Sequence, residues 1–100
     1  MDIGIFGSSE SSKVFKRSSE TIFSEVDEEV IFLDVNTGSY YNLNQIGSKI
    51  WNFLVEPRKY IDIVYELVSE YNVTFEECEV GIKPFLSELE KLGMIKSENE

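Results

Sequence analysis

The sequence predicts an α+β fold, in which a three-stranded antiparallel sheet is followed by three helices, as in winged helix-turn-helix proteins. Three short runs of β-branched and aromatic residues come first, and three stretches with the helical spacing of apolar residues follow. Strands followed by helices are typical of the α+β class. The chain has 100 residues, which is enough for one domain. It contains no internal repeat and no linker that would divide it.

The predicted strands are Thr21–Val26, Val30–Val35 and Ser39–Leu43. Acidic residues at Asp27–Glu29 form the first turn. Asn36–Gly38 form the second, because Asn and Gly tolerate positive φ angles. The last two strands therefore predict a β-hairpin.

The two ends of the chain are expected to be flexible tails around a domain of residues 14–96. Met1–Lys13 are rich in Gly and Ser after Phe6, which predicts a mobile segment, with a short strand at Ile3–Phe6 as the alternative. Val14–Lys16 either form a strand or lead into the first one. The polar residues 97–100 form the second tail.

The first predicted helix begins after the N-cap Asn44 and is ended by Pro57. The second spans Ile61–Tyr71. "EPRKY" is read as the loop between them.

The third predicted helix begins with a capping box, Thr74 and Glu77, and continues to about Leu92. Gly93 then suits the C′ position. Gly81 and Pro84 lie inside this helix, and the proline is expected to kink it.

The charge balance limits the class of partner. Nine Lys and Arg face nineteen Asp and Glu, a formal net charge of −10, so nucleic acid and anionic membranes are disfavoured. A neutral or basic partner fits better. One cysteine, no signal peptide and no long apolar run indicate a cytoplasmic protein.

The sequence offers little catalytic chemistry. It contains no histidine, which removes the commonest general base and metal ligand. Cys78 lies on the apolar stripe of the third helix and is interpreted as a buried structural thiol. Glu76, Glu77 and Glu79 are interpreted as a solvated face. We therefore expect no enzymatic activity, no metal and no cofactor.

Three aromatic residues are candidates for core or binding roles. Tyr40 and Tyr41 point to opposite faces of their strand, so one is expected in the core and the other on a surface. Trp51 is expected to anchor the core. Both tyrosines could instead merely cover the sheet edge.

Two segments carry a resemblance to the PqqD family. Val30–Leu54, "VIFLDVNTGSYYNLNQIGSKIWNFL", is similar to that family's hydrophobic strand, glycine turn, aromatic strand ending in Leu-Asn, and helix with an Ile-Trp pair. Phe85–Ile95, "FLSELEKLGMI", resembles its usual ending. The resemblance covers Thr21–Ile95. It departs from the family pattern at Gly81 and Pro84, which interrupt the helix that forms one wall of the groove, and at the additional residues Met1–Lys13.

The resemblance implies a recognition element for ribosomally made, post-translationally modified peptides. In this family a precursor's leader peptide adds as a further strand along the third strand, in the groove against the third helix. Stand-alone members serve PQQ synthesis, lasso-peptide synthesis and radical-enzyme peptide modification. "TGSYYNLN" looks most like the lasso type, which delivers the leader to a leader peptidase and, through it, to a cyclase.

The binding residues implied by this mode lie on the third strand and the third helix. Acidic side chains at Asp34, Glu79 and Glu88 could attract a basic leader. The expected partners are the leader peptide and a maturation enzyme, and the chain itself is expected to be a monomer or weak homodimer. The predicted peptide-binding residues are Asp34, Gly38, Ser39, Tyr40, Tyr41, Asn42, Leu43, Val80, Ile82, Lys83, Pro84, Phe85 and Ser87.

Two other classes stay open. A winged-helix DNA-binding regulator would need a basic recognition helix, whereas the second helix carries Asp62, Glu66 and Glu70. A structural module would bind an enzyme subunit and no peptide. Absence of leader binding with retained enzyme binding would favour the structural module.

Overall fold

The structure, a computed structural model, describes residues 13–99. In this part of the chain six strands and three helices follow one another. They are β1 (Lys13–Arg17), β2 (Ile22–Val26), β3 (Glu29–Leu33), β4 (Tyr40–Asn42), α1 (Gln45–Phe53), β5 (Arg58–Lys59), α2 (Tyr60–Glu70), α3 (Phe75–Lys91) and β6 (Ile95–Asn99).

The predicted sheet and the α+β class are confirmed. β2, β3 and β4 form an antiparallel sheet in that order. Asp27 and Glu28 make the two-residue turn between β2 and β3, with φ angles of 52° and 68°. Two consecutive positive φ angles match the right-handed twist of a hairpin. β3 is therefore the central strand, and β2 and β4 are the two edges.

A second small sheet, with the order β5–β1–β6, was not predicted. It corrects three expectations. Lys13 is a strand residue instead of part of a tail, residues 97–99 pair with β1 as part of β6, and part of the "EPRKY" loop is the strand β5. The strand alternative for Val14–Lys16 is confirmed as part of β1. β5 and β6 carry few apolar residues and pair with a strand that is distant in the sequence, so local sequence gives little sign of them. The expected tail at residues 1–12, with its alternative strand, lies outside the described residues.

The helix ends follow local side-chain chemistry. The Asn44 side chain accepts the Gly47 N–H (2.8 Å), which confirms the predicted N-cap of α1. α1 ends at Phe53, four residues before Pro57, so the proline does not itself end the helix. Both bonds of the predicted capping box begin α3. Gly93, with φ +77°, follows the end of α3 as predicted.

Pro84 does not break α3, which runs continuously through it. The proline is exposed, so the carbonyl of Val80, which loses its usual helical donor, lies on the solvent side of the helix. Water can therefore satisfy that carbonyl. The outward position of Pro84 explains why α3 tolerates it.

The core gathers the inner faces of the sheet and helices around Trp51, which is fully buried. Its ring packs edge-on against Phe32 (4.7 Å between centroids) and Phe23 (5.1 Å). The guanidinium of Arg17 lies 4.3 Å from the Trp51 ring centroid and donates two hydrogen bonds to the Trp51 carbonyl (2.8 and 3.1 Å). Trp51 is thus the core anchor that the sequence predicts, and Arg17 connects the second sheet to it.

Within residues 13–99, no helix combines the length and the apolar character needed to cross a membrane.

Candidate functional site

β4 is an edge strand with one side open. β3 pairs with its inner side, and no other strand of residues 13–99 pairs with its outer side. At one end of the β3–β4 ladder the Leu43 N–H donates to the Val30 carbonyl (2.8 Å). At the other end the Asp34 N–H donates to the Ser39 carbonyl (2.9 Å). These two contacts fix which residue pairs of the ladder are hydrogen-bonded.

Alternation along the ladder then determines the direction of every backbone group on β4. Bonded and non-bonded pairs alternate in an antiparallel sheet, so the middle pair, Phe32 with Tyr41, is bonded. The N–H and C=O of Tyr41 therefore face β3. Those of Tyr40 and Asn42 face the open edge. An extended peptide can bond these outward donors and acceptors by adding as a further strand.

The side chains of β4 divide between the two faces of the sheet. Tyr41 lies opposite Phe32, so both point toward the core, where Tyr41 is half-buried. Leu43 is buried as predicted, and Tyr40 is 69% exposed on the other face. The prediction of one core tyrosine and one surface tyrosine is confirmed. The sequence alone did not decide which was which.

The turn before β4 holds Asp34, Gly38 and Ser39. The Asp34 carboxylate accepts the N–H of Asn36 (2.9 Å), and its carbonyl accepts the N–H of Gly38 (2.7 Å). Gly38 has φ +75°, a conformation that favours glycine. These predicted site residues therefore fix the geometry that leads into the open edge.

An apolar cavity of about 310 Å³ lies between the three helices, next to the end of β4. Asn44, two residues after β4, is at its rim, and α3 contributes Gly81, Ile82 and Phe85. The remaining lining residues are Ile46, Gly47, Ile50, Leu67, Tyr71, Val73, Glu77 and Cys78. Sequence reasoning placed Ile82 and Phe85 at the groove but missed the contributions of α1 and α2. Ile46 and Val73 are apolar residues that the fold leaves exposed at this cavity. Their apolar character is visible in the sequence, but their exposure is not.

Two glycines shape this cavity. A Cβ atom at Gly47 would lie 3.0 Å from Cζ of Phe85, so glycine permits the close approach of α1 and α3. A Cβ atom at Gly81 would meet no atom within 4 Å, so the α3 wall is open at that position. Gly81 was expected to weaken the helix, and the structure adds that its missing side chain leaves room in the cavity.

The predicted residues of α3 do not all lie together. Lys83 and Ser87 line a different cavity, of about 280 Å³, with Phe15 of β1 and Tyr60 of α2. Successive helical residues are about 100° apart, so Lys83 and Gly81 lie on opposite flanks of Ile82. The structure thus places Lys83 and Ser87 on the flank away from the three-helix cavity.

Val80 and Pro84 lie on the solvent side of α3. Val80 is 76% exposed, and Pro84 is also exposed. Glu79, expected to attract a basic leader, accepts a hydrogen bond from the Tyr60 hydroxyl (2.7 Å) and lies 3.9 Å from the Lys83 amine. Its charge is therefore partly compensated within the chain.

Comparison with known proteins agrees with this geometry. Residues 29–95 match the family described as "Coenzyme PQQ synthesis protein D (PqqD)". The chain belongs to the PqqD family. The matched region contains β3, β4 and all three helices, and so includes the open edge and the three-helix cavity. β1 and β2 lie outside it.

Two solved structures resemble this PqqD-family chain throughout the domain. The first, described as "TbiB1 in Complex with the TbiA(beta) Leader Peptide", has a TM-score of 0.73 and 31% identity, and the alignment covers 81% of this chain and 94% of that one. The second, "Lasso peptide synthetase B1 complexed with the leader peptide", has a TM-score of 0.71 and 27% identity, with 82% and 96% covered. A comparison with curated protein sequences gives no match.

The described part of this PqqD-family chain offers one thiol and no metal site. Within residues 13–99, no three His, Cys, Asp or Glu side chains are grouped so that they could hold a metal ion. Burial raises the pKa of the Cys78 thiol above its ordinary value, and the Glu79 carboxylate adds to this effect. The raised pKa keeps the thiol protonated and weakly nucleophilic near neutral pH.

Proposed function

We propose that this chain binds the leader segment of a ribosomally synthesised precursor peptide by β-strand addition along β4 and delivers it to maturation enzymes. The observation that carries the proposal is the open edge of β4, whose outward groups belong to Tyr40 and Asn42, next to an apolar cavity. Two similar structures of the same fold are described as complexes with leader peptides, which supports this function.

The two parts of the site have different roles in this mechanism. Backbone bonds to Tyr40 and Asn42 hold any extended peptide in register and carry little sequence preference. The three-helix cavity selects among peptides, because an apolar side chain that enters it is removed from water. Since Asn44 is at the cavity rim and lies two residues after β4, a peptide bound along β4 reaches the cavity at one end.

Delivery requires a second partner and no catalysis by this chain. The partner is a maturation enzyme: a leader peptidase, which passes the peptide to a cyclase, or a radical enzyme. We place the protein in the cytoplasm, where the ribosome makes the precursor. The unbound chain is a monomer or weak homodimer in this account, because the open edge of β4 could also pair with a second copy.

The electrostatic field favours this function over DNA binding. The chain carries a net charge of −10, which repels phosphate and attracts a peptide with Lys or Arg. In the structure, Glu66 and Glu70 of α2 form ion pairs with Lys49. The helix that a DNA-binding regulator would place in the groove, α2, carries Asp62, Glu66 and Glu70 and no Lys or Arg.

The test is a titration of purified protein with a fluorescent synthetic peptide, the leader of the precursor encoded beside this chain. A scrambled peptide of the same composition is the control. We expect a dissociation constant at or below the micromolar range for the leader and at least tenfold weaker binding of the scrambled peptide. The same titration repeated with a maturation enzyme encoded beside this chain separates the alternatives.

Equal binding of both peptides would reduce the interaction to charge attraction and remove the proposed selectivity. No binding of the leader, together with binding of the enzyme, would replace the proposal with a structural module.

A further inference from the structure

The β2–β3–β4 sheet has an apolar face on the side away from the core. Cross-strand partners share a face, and Ile22, Leu33 and Tyr40 lie opposite one another across the three strands. Ile31 lies in the next row of the same face, between Ser24 and Asn42. The outer face therefore carries apolar side chains on all three strands.

These side chains are exposed to a degree that is unusual for a sheet surface. Ile22 is 51% exposed, Val26 53% and Tyr40 69%, while Ile31 and Leu33 are half-buried. An antiparallel sheet with one face on the core usually has polar residues on its other face. A contiguous apolar patch on a monomer surface is typical of an interaction site.

The strands and turns of this sheet carry only negative charges. Residues 22–43 contain five acidic residues and no Lys or Arg. Glu29 lies on the outer face opposite Val26, and Asp27, Glu28 and Asp34 lie in the turns at the two ends of the sheet, whereas Glu25 lies on the inner face opposite Val30. The partner that fits is a protein with an apolar patch surrounded by Lys and Arg. A second copy fits poorly, because each copy carries a net charge of −10 and the same acidic rim.

The open edge of β4 belongs to this same sheet. A peptide added along β4 extends the sheet by one strand, and alternate side chains of that peptide project onto the outer face beside Tyr40. A protein that covers the outer face then contacts both this chain and the bound peptide. The outer face is thus suited to an enzyme that must recognise the peptide only when this chain presents it.

We propose that the outer face of the β2–β3–β4 sheet docks the peptide-modifying enzyme through an apolar patch ringed by basic side chains on the enzyme. This inference rests on the proposed function and adds the surface of delivery to it. It also requires that bound leader strengthens enzyme binding, since the leader becomes part of the docking surface.

The experiment measures two affinities for each variant: that of the leader peptide and that of the leader peptidase encoded beside this chain, the latter with and without leader. Ile22→Ser/Val26→Ser removes apolar surface from β2, the strand farthest from the open edge. Val55→Ser is the matched control, because Val55 is an exposed valine (65%) outside the sheet. Glu29→Lys tests the acidic rim, with Glu56→Lys as its control.

We expect the double variant to weaken peptidase binding at least tenfold and to leave leader affinity unchanged within twofold. Glu29→Lys should slow peptidase association several-fold at low salt, because charge at an interface rim acts mainly on the association rate. Both controls should behave as the wild type, and leader should tighten peptidase binding to the wild type several-fold. Melting curves of every variant identify any that has merely lost its fold.

Wild-type peptidase affinity in the double variant would overturn the proposal, as would a wild-type chain that binds leader and no peptidase. Light scattering measures the oligomeric state. A wild type that is dimeric and a double variant that is monomeric would assign the face to a second copy and overturn the proposal. Protection of Ile22 and Val26 in solution that is lost on deleting residues 1–12 would assign the face to the chain's own N-terminal segment. Leader affinity is measured in a separate titration. If the leader does not bind the wild type, the proposed function itself is contradicted.

Discussion

Replacing Asn42 with proline should weaken the binding of the leader peptide and preserve the fold. The Asn42 N–H points to the open edge of β4, so proline removes a donor that the β3–β4 ladder does not use. Proline is tolerated on edge strands when its missing N–H faces solvent. Asn42→Pro therefore tests the direction of the backbone groups and not the presence of the strand.

The magnitude follows from the outward groups at Tyr40 and Asn42. These supply two donors and two acceptors, and Asn42→Pro removes one of the four. One hydrogen bond contributes about 0.5–1.5 kcal/mol net. The proline ring also obstructs the incoming strand, so we expect a loss of about 1–2 kcal/mol, or roughly 5–30-fold in affinity.

The matched control is Glu25→Pro on the opposite edge of the same sheet. Val30 directs its carbonyl to Leu43 of β4, so its partner on β2, Glu25, has outward backbone groups as well. Asn42→Ala controls for the lost side chain. Fluorescence anisotropy of the labelled leader measures affinity, and thermal unfolding checks the fold. If Glu25→Pro weakens binding as much as Asn42→Pro does, the assignment of the leader to β4 is refuted.

The remaining predictions concern the cavity and the junction of sheet and helix. Gly81→Ala should raise the free energy of unfolding by about 1 kcal/mol through helix propensity. Gly81→Leu should also fill the open space beside α3 and lower leader affinity, and an unchanged affinity would show that the leader does not use the cavity. Iodoacetamide should label Cys78 more slowly than a free thiol at pH 8, since burial raises the pKa of its thiol, and bound leader should slow labelling further. An equal rate of Cys78 labelling with and without leader would also show that the leader does not use the cavity. Ser48→Ala should cost about 1–3 kcal/mol of unfolding free energy, because the buried Ser48 hydroxyl accepts the Val30 N–H (2.8 Å). Ser69→Ala, which removes an exposed hydroxyl, is the control, and equal losses measured by urea unfolding would contradict this reasoning.

The features predicted correctly from sequence are those that neighbouring residues determine. The Asn44 N-cap, the capping box at Thr74 and the C′ Gly93 each depend on a few consecutive positions. The β3–β4 hairpin follows from turn-forming residues with a glycine between two β-forming runs. Burial of Trp51 and Leu43 follows from the alternation and periodicity of apolar residues.

The features that were missed depend on contacts between distant parts of the chain. β1 pairs with β6 across about eighty residues, and its partner strand reads "IKSEN", which has no local β signal. Helical periodicity placed Ile82 correctly in the interior. It could not show on which flank of α3 the groove lies, because that depends on how α3 packs against the rest of the fold. Lys83 and Ser87 were predicted to bind the leader together with Ile82 and Phe85. The structure places the two pairs at different cavities, and leader contact at all four residues stays a prediction.

Residue-resolved amide exchange, measured by NMR with and without the leader peptide, tests the central claim most directly. Strand addition along β4 predicts that the amide protons of Tyr40 and Asn42 gain protection when leader binds. The amide of Tyr41, which faces β3 in both states, should change little. Protection that appears instead at Phe23 and Glu25 would place the leader on the opposite edge of the sheet, and binding without protection at either edge would contradict strand addition altogether.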